Sequence, residues 1–249
     1  MESGNKEKQR ADKDNEMAPI VIPDECGDTL WDDVLAQQDE RALKSFGAIA
    51  FTPEVKAMQE KLGSRAGYAR VEKKVYREGL TEDEIDFIAQ RDSFYMASFS
   101  ESDYPYIQHR GGPKGFVKVL DPFRIGFIDF SGNRQYITVG NIATNNKVAI
   151  IMVDYPARAR LKILATASIV ELKDDPGLFD KLNLDGYKFK PERMMILQVQ
   201  AYDWNCSQHI TPRYTAEDIE QAFAAERIRV QQLEAELADL RAKLAAPDK

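Results

Sequence analysis

The sequence predicts a mainly β protein with flanking helices, a six-stranded antiparallel barrel followed by one long C-terminal helix. Three observations predict it. Between residues 94 and 204, apolar positions recur with a period of two in six runs, the pattern of half-buried strands. Short links and one or two helical stretches join those runs, as in an antiparallel barrel. From Thr215 the pattern changes, and Val230, Leu233, Leu237, Leu240 and Leu244 follow the 3,4 spacing of a heptad seam.

Length and composition bound the rest. A chain of 249 residues holds one large domain or two small ones and buries a sizeable core. The densest apolar run, Val148 to Val153, has strand length, so no transmembrane helix is expected. The first nineteen residues are highly charged and lack an apolar h-region, which argues against secretion and for a cytoplasmic protein. Cys26 and Cys206 cannot make a disulfide framework and, with His109 and His209, show no metal-ligand spacing.

In chain order, residues 1–16 are polar throughout and read as a disordered tail within a flexible arm, 1–47. Asp28 caps a short helix through Trp31, Val34 and Leu35 in that arm. A barrel domain with N-terminal helices is expected over 48–214. Its first helix starts at Thr52-Pro53, carries Val55, Met58 and Leu62 on one face, and stops at Gly63. The segment Gly63–Tyr68 reads as a turn, or as a ligand loop in which Arg65 or Tyr68 reaches over a site. Thr81 and Glu84 form a capping box that opens a helix to about Arg91. Strands are expected at 94–99, at 104–110 (broken at Gly111-Gly112-Pro113 and resumed at 116–120) and at 125–130. A helix over 134–144, strands 147–154 and 160–171, a short helix 174–182 and a strand 194–204 complete the domain. Residues 215–249 form the C-terminal helix, capped by Thr215 and reaching about Ala246, roughly 48 Å at 1.5 Å per residue. With Val230 at position a, a parallel pair sets Arg229 against Glu234 and Glu236 against Arg241, both attractive. The other reading is an amphipathic helix packed on its own domain.

Charge points to a site. Residues 104–166 hold nine Lys/Arg against three acids, a surplus of +6 in a chain whose net charge is −7. A basic island in an acidic protein fits a small anion, with phosphate the leading candidate, better than a nucleic-acid surface. Arg158, Arg160 and Lys162 are spaced by two and share one face of a strand, a face that suits an anion or is simply a solvated edge. Asn133-Arg134-Gln135, at a strand-to-helix turn, offers backbone N–H groups, a guanidinium and two amides to an anion, although Asn133 alone also serves as an ordinary cap.

These residues carry a family resemblance. The run Phe127-Ile128-Asp129-Phe130-Ser131-Gly132-Asn133-Arg134-Gln135, the apolar strand 147–153 and Arg158-Ala159-Arg160-Leu161-Lys162 resemble the FMN-binding split barrel of pyridoxamine 5′-phosphate oxidase-like proteins. Leu62–Tyr68, Arg91–Tyr95, Gln108–Gly112, Gly132–Tyr136 and Asn205–His209 are similar to motifs of an FMN-binding subgroup related to that oxidase. The resemblance covers about residues 85–205. It implies a homodimer with FMN between the subunits and an FMN-dependent oxidoreductase acting on a small organic substrate. The alternative is a non-catalytic flavin- or haem-binding module that self-associates through its C-terminal helix. Arg134 and Arg160, with Lys162 and Lys118, are then the phosphate ligands, joined by Asn133 and Gln135. Lys118 or Arg110 lies near the flavin ring; Trp204 is a further ring neighbour or a core residue, and His109 a ring-facing donor or a strand-surface residue. The segment Trp204–Ile210 lacks the oxidase's Arg-Leu-His-Asp-Arg cluster, Gln135 replaces a lysine and Asp129 a threonine, so the likeness extends to the cofactor and not to oxidation of pyridoxamine phosphate.

Overall fold

The structure is a computed structural model that describes residues 42–76 and 78–245, all within one compact unit, Ala42–Lys249. The predicted tail and the Asp28 helix lie outside the described residues. The chain enters through a two-stranded pair, β1 (Leu43–Lys44) and β2 (Val75–Tyr76), which brackets three helices: α1 (Phe46–Ala50), α2 (Pro53–Lys61) and α3 (Arg65–Glu72). The Thr52 hydroxyl accepts from the Val55 N–H and Pro53 takes the first helical position, so α2 starts where the sequence places it. Gly63, at φ 77°, ends that segment. Residues 65–68 are not a loop. Arg65 opens α3, and the residues read as an open turn are its first helical residues.

The capping box of Thr81 and Glu84 opens α4 (Glu82–Ala89). The sheet comprises β3 (Ser93–Phe99), β4 (Pro105–Gly111), β5 (Lys118–Asp121), β6 (Arg124–Phe130), β7 (Lys147–Asp154), β8 (Ala159–Val170) and β9 (Pro191–Asn205). Every pairing is antiparallel, and the strands run in the order β4-β3-β7-β8-β9-β6-β5. The sheet therefore has seven strands and not the six expected. The run after Pro113 does not resume β4; it becomes β5, on the opposite edge.

That detail fixes the curvature. A flat seven-stranded sheet would separate its edges by about 28 Å, at 4.7–4.9 Å per strand. The link from Gly111 to Lys118 spans at most about 25 Å fully extended. The sheet has to curl toward closure, which is the split barrel. The link itself is tight: a Cβ on Gly112 would stand 2.7 Å from the Phe116 ring, and Gly115 has φ +74°. Phe116 drops inside, stacked 5.7 Å from Phe94, with Phe127 edge-on to Phe94 at 5.3 Å. These rings head a core that continues through Ile125, Met152, Leu161, Ile163 and Leu197.

Two helices connect strands. α5 (Ile137–Thr144) lies between β6 and β7, and its Asn141 amide donates to the Ser98 hydroxyl on β3 at 3.0 Å. α6 (Pro176–Leu182) caps the far face of β6, where Leu182 packs with Ile128, Met194 and Ile196. The predicted C-terminal helix is divided into α7 (Ala216–Ala222) and α8 (Ala224–Ala245). At the joint, the Phe223 N–H is shared between the Ile219 and Gln221 carbonyls, tightening the ladder for one residue. Arg227 donates to the Glu220 carbonyl nearby at 2.9 Å. Among the described residues, no helix is long and apolar enough to cross a membrane, and no cluster of His, Cys, Asp and Glu has the makings of a metal site.

Candidate functional site

A polar cleft of about 230 Å³ opens where β4, the end of β6, the 131–136 turn, the start of α5 and the start of β9 converge. Alternation along β4 sets its contribution: Tyr106, Gln108 and Arg110 face the cleft, while Ile107 and His109 face the other side. Register sets the next, because Asp129 on β6 pairs directly with Arg193 on β9. The Asp129 carboxylate is buried and accepts from Arg110 on one oxygen and from Arg193 on the other, the latter at 3.1 Å. One carboxylate thus spaces two guanidiniums from strands far apart in sequence. Gln108 holds the arrangement, its Oε1 accepting from Arg110 at 3.3 Å and from Thr138 of α5 at 2.8 Å. The Arg110 side chain is only 9% exposed, and its Nε has no hydrogen-bond partner.

The turn builds the opposite wall. Arg134 and Tyr136 both have left-handed backbones, at φ 60° and 54°, a conformation costing roughly 1–2 kcal/mol per non-glycine residue. Local bonds hold them there. The Asn133 side chain accepts from the Gln135 N–H at 3.2 Å, Arg134 Nε donates to the Tyr136 hydroxyl at 3.2 Å, and that hydroxyl donates to Glu192 at 3.4 Å. A hydrogen bond from the Ser131 side chain, then the charge of Arg193 and the Tyr136 bond, hold the Glu192 carboxyl below the usual range. Arg193 also lies 5.1 Å from the Tyr136 ring centroid. The cleft thus carries three arginines against two carboxylates, one net positive charge, with an unused N–H on its most buried cation. Guanidinium groups so placed have the chemistry to make charge-assisted hydrogen bonds to an oxyanion.

Of the residues singled out in sequence, Arg110, Asn133, Arg134 and Gln135 come together in this cleft. The others lie elsewhere in the same chain. Arg158 is not on the strand: it sits in the preceding turn at φ 55°, and β8 begins at Ala159, so the three-cation face reduces to Arg160 and Lys162. Arg160 donates to the Cys206 carbonyl at 3.0 Å and keeps a buried Nε without a partner. Lys162 pairs with Asp203 at 2.9 Å and lies 4.3 Å from the Phe46 ring centroid. Trp204 donates to Glu84 at 2.6 Å and meets Phe87 edge-on. His109 lies edge-on to Tyr95 on the outer face, and Lys118 sits on β5 opposite Gly126. On the helical arm, Arg65 is held by Glu72 and Gln59, and Tyr68 meets Phe51 edge-on. Sequence reading missed Tyr106, Gln108, Tyr136, Thr138, Glu192 and Arg193 as cleft residues, and it took Asp129 only as a departure from the family pattern. Period-two alternation down β4 was the available signal for the first two.

A second depression, about 390 Å³, is apolar and lies on the outer sheet face among Tyr95, Ala97, Ile107, Ile151 and Leu164, bordered by Phe46 and Lys162. Ile107 and Tyr95 are well exposed on a sheet face that is ordinarily polar in a monomer.

Fold and cleft together define a split-barrel domain with an anion-receptive crevice at a strand-to-helix turn. Residues 80–193 match the family model of pyridoxamine 5′-phosphate oxidase. All the residues lining the polar cleft fall inside that segment, whereas α1–α3, α7 and α8 fall outside. Solved structures with a similar outline include HupZ from Group A Streptococcus (17% identity, 54% of this chain and 99% of that one, TM-score 0.42). A protein related to general stress protein 26 of B. subtilis, from Clostridium acetobutylicum, is another (15% identity, 55% and 94%, TM-score 0.37). An FMN-binding protein from Syntrophomonas wolfei is a third (10% identity, 60% and 97%, TM-score 0.39). No curated protein matches the chain.

Proposed function

We propose that the protein binds FMN, with the phosphate end in the polar cleft, and works as a homodimeric FMN-dependent oxidoreductase on a small organic substrate. The observation that carries this reading is Arg110, nine-tenths buried, with an unpartnered Nε on the wall that faces the Asn133-Arg134-Gln135 turn. A phosphate dianion supplies the missing acceptor and suits the planar guanidinium donors of Arg110 and Arg134. A cleft of about 230 Å³ is smaller than the roughly 300–1,000 Å³ of a pocket that encloses a whole drug-sized ligand. It fits the phosphate and part of the ribityl chain, so the flavin ring needs a wall from elsewhere. A second copy is the natural source, and two features support one: the exposed apolar face around Ile107, and Arg160, Lys162 and Trp204 held away from their own chain's cleft. FMN, when bound, supplies two-electron redox chemistry. The chain's part is to seat the phosphate, to place cationic side chains near the ring and to keep bulk water from it. A polar cleft ringed by arginines favours a phosphate-bearing cofactor over haem.

The absorption spectrum of the purified protein, followed by FMN titration, tests the reading. Oxidised-flavin bands are expected on the protein or after soaking, and a Soret band or no uptake would overturn it. By calorimetry, Arg160→Ala is expected to weaken FMN binding by about 1.5–3 kcal/mol, the range for a hydrogen bond to a charged group. Unchanged affinity removes Arg160 from the FMN site as the second copy's contribution. Reduction of the bound flavin by NADH or NADPH without oxygen, followed by turnover of a substrate, separates an enzyme from a carrier.

A further inference from the structure

α8 carries an apolar stripe that nothing among the described residues covers. The helix runs 22 residues, about 33 Å, and its principal neighbour is α7 and not the sheet. Val230, Leu233, Leu237 and Leu240 are between 45% and 58% exposed, although their 3,4 spacing puts them on one face. We propose that this face docks on the same face of a second copy, as a parallel, in-register, two-stranded coiled coil.

Three features commit the occupant to a second copy in that orientation. A two-fold contact needs a self-complementary surface, and a stripe of Val and Leu presents the same holes and knobs to its own image. Val230 at a with Leu at both d positions, Leu233 and Leu240, is a two-strand pairing, and Leu237 fills the other described a position. The flanks then decide direction. In the parallel pair Arg229 of one copy faces Glu234 of the other and Glu236 faces Arg241, so every flanking contact within the described seam is attractive. The seam is short for an isolated coil, so it gains from any other contact that holds two copies close. This inference goes beyond the flavin reading and does not rest on it, because none of the seam residues belongs to the cleft.

Disulfide trapping on the full-length chain tests it. In a Cys26→Ser, Cys206→Ser background, Leu233→Cys, Leu240→Cys and, on the opposite face, Ala235→Cys are each oxidised with glutathione disulfide. A parallel coil yields at least tenfold more covalent dimer at 233 and at 240 than at 235. No dimer, equal yield at all three positions, or dimer only when Leu233→Cys is mixed with a Leu237→Cys variant (the antiparallel outcome, d against a) overturns the proposal. A second measurement needs no cysteine. Glu236→Arg is expected to raise the concentration at half dissociation at least threefold in sedimentation, and adding Arg241→Glu is expected to restore it. Residues 236 and 241 lie five apart and do not face each other along one helix, so failure of that rescue also overturns the pairing.

Discussion

A buried carboxylate between two guanidiniums is stable only while both cations stay within reach, and Asp129 meets that condition with Arg110 of β4 and Arg193 of β9. Removing it leaves two arginines facing each other in a half-closed cleft. We predict that Asp129→Ala lowers unfolding stability by about 3–5 kcal/mol, the usual result of breaking a buried pair from one side. Urea denaturation measures it, and a loss below about 1 kcal/mol would mean that solvent already screens the two guanidiniums. The cationic side of this site was legible in the sequence, because Arg110 and Arg134 stand in a local excess of positive charge. The acidic side was not. Asp129 and Arg193 are 64 residues apart, and only the β6–β9 register makes them neighbours. The alternation used to delimit β9 started at Met194, one residue too late to include Arg193.

Among the elements, those with local causes matched expectation best. Helix α2 is explained by Thr52-Pro53, α4 by its capping box, and α7 by Thr215 and Asp218, each a signal within four residues. α3 escaped notice because it has no capping side chain at Ser64 and because Gly67, a weak helix former, sits inside it. Glu72 gathers Lys56 of α2 and Arg65 of α3, tying the two helices together. Those partners, Lys56 foremost, hold the Glu72 carboxyl below its ordinary value. A depressed carboxylate contributes stability that is fully present above its unfolded pKa and is lost as pH falls through the folded one. We predict that Glu72→Gln lowers the melting temperature at pH 7 and that the gap to the parent protein closes on acidification below the ordinary glutamate range. A gap unchanged down to pH 3 would show that Glu72 acts by shape and not by charge.

At the scale of the molecule, the antiparallel barrel was readable from alternation alone, whereas the strand count was not. The error lay at Gly111–Val117, where seven residues of mixed character look like an interruption and are in fact a passage from one sheet edge to the other. Local pattern carries no information about which edge a strand joins. That passage also has a kinetic side. The β7-β8-β9 meander is local in sequence and stands at the centre of the sheet, with the β3-β4 hairpin added on one flank and the β5-β6 hairpin on the other. Because a short tether joins the two hairpins, neither can dock far from its final place without pulling the other along. Folding should therefore be a zipper that runs outward from the middle and ends in one concerted clasp. We predict that Leu161→Ala, in the meander, mainly slows refolding, while Phe116→Ala, in the clasp, mainly speeds unfolding, both read from chevron plots. If both variants change the same limb, the sheet does not assemble in that order. On that order the tether closes last, next to Arg110, and an anion bound in the cleft would act there as a latch.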